Sequence, residues 1–171
     1  MNMNVVVTQA VRAQESTIQN MVQLYTHDFS EFWAGTARGE LGSDGRFDPY
    51  PMEDYWSRPG WSAALILSNT VLAGFALTND VAHSGQPVEH NVGEFFILRK
   101  HRGQGVGRRA AEAIFSLQPG SWEVAVARKN VNAHEFWRKT IRGAPQALNI
   151  RELDVADDKW NGAVFRFDWQ G

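Results

Sequence analysis

The chain has 171 residues, 43% of them hydrophobic and 21% charged, with seven Trp, 15 Gly, 6 Pro and no Cys. That length and balance predict one globular domain spanning residues 1–171, and they exclude a disordered chain, a collagen-like chain and a disulfide scaffold. A net charge of -2 offers no overall attraction to nucleic acid, and the absence of Cys removes thiolate metal sites, thiol nucleophiles and redox pairs together.

The segment Met1–Ala10 carries no Lys or Arg, so no secretory signal is expected. The longest apolar stretch, Val71–Leu77, falls far short of the roughly 20 residues a membrane span needs. Together with the missing Cys, this predicts a cytoplasmic protein with no membrane partner.

In chain order, Val5-Val6-Val7 reads as a strand. Ser16-x-x-Gln19 has the form of a capping box, and Ile18, Met21, Val22 and Tyr25 recur behind it at helical spacing, predicting a helix from about Thr17. The pattern fails from Ala34 to Gly60, with room for a short helix between Pro51 and Pro59. Ala63–Leu67 and Val71–Leu77, joined by Ser68-Asn69-Thr70, predict a hairpin. After a loop, Val92–Leu98 is another strand. A helix follows with Val106, Ala110, Ala113, Ile114 and Leu117 on one face, ending at Pro119-Gly120. Trp122, Val124 and Val126 alternate as a strand. Asn130 or Asn132 caps a helix with the stripe Ala133, Phe136, Trp137 and Ile141. Two strands, about Ala147–Val155 and Ala163–Trp169, close a mixed α/β order.

The most informative segment runs from strand through Arg102-Gly103-Gln104-Gly105-Val106-Gly107 into helix. Its glycines let consecutive N–H groups converge at a helix N-terminus, which favours an anion. Arg99, Lys100, Arg102, Arg108 and Arg109 crowd the same stretch of an otherwise acidic chain, which points to a phosphate-bearing ligand. A nucleoside triphosphate loop would place Lys and Ser or Thr after the last Gly, where Arg108-Arg109 stand. Gly105-x-Gly107-x-x-Ala110 fits a relaxed dinucleotide fingerprint, but Arg99–Gly103 separate the strand from it and no acidic residue ends the next strand.

Arg102-x-x-Gly105-x-Gly107 resembles the (Q/R)-x-x-G-x-(G/A) signature of the GNAT superfamily of acetyl-CoA-dependent N-acetyltransferases. Ile97 sits where that family usually has a Val, and Asn130-x-x-Ala133-x-x-x-Trp137 is similar to the family's N-x-x-A-x-x-x-Y helix start. The resemblance implies a single-domain α/β fold with a mixed, mostly antiparallel sheet of about seven strands, about four flanking helices and splayed central strands. It implies acetyl-CoA as co-substrate and no metal. The pyrophosphate would lie on the backbone of Arg102, Gly103, Gln104, Gly105, Val106, Gly107 and Arg108. The pantetheine arm would pair with main chain at Ile97 and Leu98, and Asn130 would contact it or the neighbouring backbone. The amine would attack the thioester directly. The other reading is an acyl-CoA-binding sensor or interaction module with little or no catalysis, because Trp137 occupies the usual Tyr position and an indole N–H does not donate a proton.

For the base, Glu94 is a lone carboxylate in an apolar strand, at a position where the family often has a Glu; strand alternation leaves open whether it faces the site or solvent. The acid is left open among Tyr25, Tyr50, Tyr55, water, or none. His101 reads as part of the loop's surface, and His27, His83, His90 and His134 have no metal-ligand spacing. Between the first two helices, Asp28, Glu31, Glu40, Asp44, Asp48, Glu53 and Asp54 predict an acidic lip for a cationic amine. Phe29, Trp33, Tyr50 and Tyr55, with Phe32, Phe47 and Trp56 nearby, predict an aromatic wall. The acceptor is then a small-molecule or protein amine and the chain a monomer or homodimer. Trp61 and Trp160 have no assigned role.

Overall fold

A computed structural model describes residues 3–171. Seven strands form one sheet in the order β1-β2-β3-β4-β5-β7-β6. They are β1 (Val5–Gln9), β2 (Ser62–Ser68), β3 (Val71–Asn79), β4 (His90–Ile97), β5 (Gly120–Ala127), β6 (Ala147–Ala156) and β7 (Asn161–Trp169). The helices are α1 (Glu15–Ser30), α2 (Glu53–Ser57), α3 (Val106–Leu117) and α4 (Val131–Gly143). This is the predicted order of elements.

Both sheet faces are covered, which is why β2 and β3 read as continuous apolar runs rather than alternating ones. On one face Ile18, Met21 and Val22 of α1 and Tyr55 of α2 pack on Leu65, Phe75, Leu77 and Phe96. On the other, Val106, Ala110, Ile114 and Phe115 of α3 and Trp137 and Ile141 of α4 pack on Trp122, Val124, Phe165 and Phe167. Trp122, Phe75, Phe115 and Phe165 are fully enclosed, and each such side chain contributes about 1.5–3 kcal/mol of burial. The β2–β3 turn places Asn69 and Thr70 at positive φ, the twist a two-residue hairpin needs.

The helix start differs from the expected capping box. A single 3-10 turn, Arg12–Gln14, leads into α1 at Glu15, and Gln14 Oε1 accepts from the Val11 N–H. Gln19 lies inside the helix, where its amide serves another purpose described below.

All neighbouring strands are antiparallel except β4 and β5, which are parallel and pair only at His90–Trp122, Asn91–Glu123 and Val92–Val124. Past Val92 the two strands diverge, leaving the splayed gap the resemblance implies. The divergence begins at a bulge. Leu77 pairs Glu94 and Thr78 pairs Val92, so Gly93 is an extra residue. A Cβ on Gly93 would lie 2.7 Å from Asn79 Nδ2 and 3.2 Å from Tyr55 Oη, so a larger residue there would push the Asn79 amide aside.

Candidate active site

The glycine loop follows β4 directly. A 3-10 turn over Arg99–His101 leads to Gly103 and Gly105, at φ 72° and 82°, and Gly105 is the residue before α3. Positive φ at both turns the backbone so that, among the described residues, the N–H groups from Gly103 to Arg108 find no acceptor in the chain; the next, Arg109 N–H, bonds Gly105 O at 3.2 Å. These free donors at a helix N-terminus form an anion-binding concavity. A Cβ on Gly107 would meet Phe136 of α4 at 3.1 Å, so the two helices close together beside the loop.

The basic side chains of the loop do other work. Arg102 Nε donates to Ile97 O at 2.7 Å, and its guanidinium reaches Asp28 of α1 at 2.5 Å and lies over the Phe96 ring. Arg99 bonds the same carboxylate at 2.9 Å. Burial would raise the Asp28 pKa, but the hydrogen bonds from Arg102 and Arg99 outweigh it and hold the carboxyl below its usual range. Arg109 bonds the carbonyl of Met3 at 2.5 Å. Arg99 and Arg102 of the expected positive cluster are thus taken up in bracing the loop, and Arg109 in holding the chain at Met3. Asp28 belongs to that brace and not to an acidic lip, and Glu53 likewise pairs with Arg12 at 2.6 Å.

Leu98 also differs from expectation. Its N–H bonds Ala73 O and its carbonyl accepts from His101 N–H, each at 2.8 Å. Successive strand residues send their main-chain groups to opposite neighbours, so Ile97 and Phe95, not Leu98, face the gap. Asn130 caps α4, its side chain accepting from Ala133 N–H at 3.1 Å.

Glu94 follows the bulge, and the bulge decides where it points. In an unbroken strand it would share the face of Val92, which packs in the α3/α4 core. The extra residue turns it to the α1/α2 face, where Tyr25 Oη donates to Glu94 Oε2 and Tyr50 Oη donates to Oε1 at 2.9 Å. Burial raises the Glu94 pKa, and the hydrogen bonds from Tyr25 and Tyr50 offset part of that rise. Both phenols are pushed well above their ordinary range, first by burial and then by the Glu94 charge.

A family model of the GNAT acetyltransferases matches residues 18–141, from α1 to the end of α4. The chain belongs to the GNAT acetyltransferase family. A search of curated protein sequences finds no match. Among solved structures, the chain is similar to a GNAT-family acetyltransferase from Staphylococcus aureus Mu50 (TM-score 0.62, 10% identity, covering 98% of this chain and 100% of that one). It is similar to spermidine N-acetyltransferase from Vibrio cholerae in complex with CoA and spermine (TM-score 0.61, 11% identity, 97% and 95% covered). An aminoglycoside acetyltransferase in complex with coenzyme A gives a TM-score of 0.65 at 11% identity, with 98% and 95% covered. At these identities the structures establish the fold, and they extend the likeness to β1, β6 and β7, outside the family match.

The residues expected to wall the acceptor in this GNAT chain divide. Tyr25, Phe29 and Trp33 form an aromatic row with ring centroids 4.8 and 5.9 Å apart, and Arg38 stacks over Trp33 at 4.7 Å. Tyr50 reaches Glu94, but Tyr55 is buried, its hydroxyl accepting from Asn79 Nδ2 at 3.1 Å; it supports the site from behind rather than lining it. Trp137 lies in the core against Phe95 and Phe136 at 5.0 and 4.9 Å. A cavity of about 510 Å³ lies elsewhere, between α4 and the β6–β7 hairpin, lined by Arg128, His134, Arg138 and Glu152. Among the described residues no three His, Asp or Glu side chains are grouped to hold a metal ion, and no helix is long and apolar enough to cross a membrane.

Sequence reasoning missed two glutamines. Gln23 bonds both main-chain groups of Phe47, at 2.9 and 3.1 Å, and Gln19 both of Tyr50, at 3.0 and 2.8 Å. They staple the irregular segment onto α1 and so carry Tyr50 to Glu94. Their spacing of four, on the α1 face turned to a coil-like segment, was the only signal. The unassigned tryptophans also find partners: Trp61 donates to Asp80 at 2.8 Å, and Trp160 meets the His83 ring at 4.7 Å.

Proposed function

We propose that this chain transfers an acetyl group from acetyl-CoA to an amine by direct attack on the thioester. The observation that carries the reading is the juxtaposition along β4: a carboxylate turned into a proton-managing site, and free N–H groups in the loop that the same strand enters. The N–H groups of Gly103 to Arg108 fit a pyrophosphate, and the unpaired edge of β4 beyond Val92 fits an extended amide arm. Acetyl-CoA supplies the activated acetyl group. The protein aligns the partners and moves protons.

An ammonium must lose a proton before it attacks. Glu94 is the base, and its burial moves it toward the pH range where a base is useful. The chain needs no acyl-enzyme and has no Cys to form one. That the similar structures include spermidine and aminoglycoside acetyltransferases supports an amine as acceptor. The lack of Cys suits a reducing cytoplasm.

The test is release of CoA thiol across a panel of polyamines, amino sugars and amino acids, with the wild type and Glu94→Gln. Glu94→Gln lowers turnover about 100-fold near neutral pH and recovers in part as pH rises and free amine accumulates. Equal rates at every pH would remove Glu94 as base. Saturable CoA binding without turnover on any amine would favour the acyl-CoA-binding module, the reading for which Trp137 in place of the usual Tyr speaks.

A further inference from the structure

We propose that the Tyr50 hydroxyl, rather than the Glu94 carboxylate, meets the acceptor ammonium and relays its proton to Glu94. The inference rests on the reading of Glu94 as the base and names the group the substrate touches. Both carboxylate oxygens are already covered: Oε2 by Tyr25 and Oε1 by Tyr50, the latter at 2.9 Å. Glu94 points to the α1/α2 face, and there the two phenols stand in front of it, so an amine arriving from that face meets a phenol before the carboxylate. A phenol that donates its hydrogen to Glu94 keeps a lone pair to accept another, so it can take the ammonium hydrogen while still bonded to the carboxylate.

The two phenols are not equivalent. Tyr25 is fixed in α1 and its ring is walled by Phe29, Phe75 and Phe96, with centroids at 4.8, 5.8 and 6.0 Å. Tyr50 stands on the irregular segment between α1 and α2, with the Tyr55 ring at 6.3 Å as its aromatic neighbour; both tyrosines are half-buried, but the Tyr50 hydroxyl is the less enclosed of the two. Its main chain is held at both polar groups by Gln19, which fixes the hydroxyl on Glu94 without enclosing it. Tyr50 is therefore the face of the pair open to a ligand, and Gln19 is a positioning residue.

The transfer balances as a concerted shuttle. The ammonium N–H bond breaks as a new O–H bond forms on Tyr50. The original Tyr50 O–H bond breaks as an O–H bond forms on Glu94. The amine and Tyr50 end neutral and Glu94 ends as the carboxylic acid. No phenolate forms at any stage, which agrees with a phenol whose pKa is pushed far above its ordinary value by burial.

The experiment compares the wild type, Tyr50→Phe, Glu94→Gln and Gln19→Ala on a slow amine from the panel, so that proton transfer limits the rate. Rates are read in mixtures of light and heavy water, and CoA affinity is measured as a folding control. The relay predicts a curved dependence on deuterium fraction in the wild type, because two protons move together. Tyr50→Phe should lose about 100-fold in kcat, keep its CoA affinity and give a straight line. Gln19→Ala should lose less and keep the curve. Wild-type kcat and curvature in Tyr50→Phe, with Glu94→Gln inactive, would overturn the relay and leave Glu94 as a direct base. Full activity in Glu94→Gln would overturn both.

Discussion

The Asp28 carboxylate of α1 holds the Arg102 guanidinium at 2.5 Å, and Arg102 in turn holds the last carbonyl of β4, that of Ile97, at 2.7 Å. One side chain thus ties α1, the edge of the gap and the glycine loop together. Asp28→Asn should raise the KM for acetyl-CoA several-fold while the amine KM changes little. Because both arginines are exposed to solvent, the stability loss should be modest, about 1 kcal/mol. The Asp28 pKa is lowered on folding, so this contribution is present above the ordinary Asp value and is lost as pH falls through the folded one. Wild type and variant should therefore converge in thermal melts as the pH is taken down from the ordinary Asp range through the lowered folded one. Equal KM values for acetyl-CoA would remove Asp28 from the loop's support.

Gly107 sits where the helix N-terminus, Phe136 and the free N–H groups meet. Gly107→Glu adds a Cβ 3.1 Å from Phe136 and a negative charge at the anion site. CoA affinity measured by titration calorimetry should fall at least about 100-fold, the scale of a lost charge-assisted contact plus repulsion. Circular dichroism separates this from unfolding. Retained affinity in a folded variant would refute the loop assignment.

Tyr25 and Tyr50 favour the charged form of Glu94 against its burial. Tyr25→Phe removes one donor, so the Glu94 pKa should rise further. A hydrogen bond to a charged group contributes about 1.5–3 kcal/mol, which corresponds to a shift of about one to two pH units. The acid limb of the kcat/KM profile should move to higher pH by that amount, with kcat at high pH little changed. A limb that stays in place would mean that another group sets it.

Glu123 is fully buried on β5 and pairs with Arg166 of β7 at 2.7 Å; its oxygens also accept from the His83 N–H and from Ser84. This pair anchors the β3–β4 loop, since Arg166 also bonds the carbonyls of Gln86 and Pro87 at 3.0 and 2.8 Å. Glu123→Gln leaves Arg166 buried without a counter-charge and should cost about 3–5 kcal/mol. At about 2–4 °C per kcal/mol for a chain of this size, the melting temperature should drop markedly. Adding Arg166→Met should recover part of the loss. A melt within one degree or so of wild type would show that the pair is dispensable.

Glu123 also shows where pattern reading fails. In sequence it occupies an alternating, outward position of a strand, and nothing marks Arg166, 43 residues away, as its partner. Tyr55 fails in the opposite sense: it sits among aromatics that suggest a pocket wall, yet Asn79 and the sheet draw it into the core. Asp28 counted as one of several acidic residues until the fold brought two arginines onto it.

The sequence by itself determined the order of elements, the apolar faces of α1, α3 and α4, and the glycine loop with its helix start. Each of these is written in local spacing, because helix and strand periods and glycine's access to positive φ are properties of short segments. Only the tertiary structure decided the direction of Glu94, because that depends on one extra residue at Gly93 shifting the β3–β4 register. Only it decided that Arg99 and Arg102 brace the loop on Asp28, and that Tyr50 meets Glu94. Those contacts join residues 28 to 102 and 50 to 94, distances along the chain over which charge and phenol carry no local signature. They form where packing of helix on sheet brings the groups within hydrogen-bond reach.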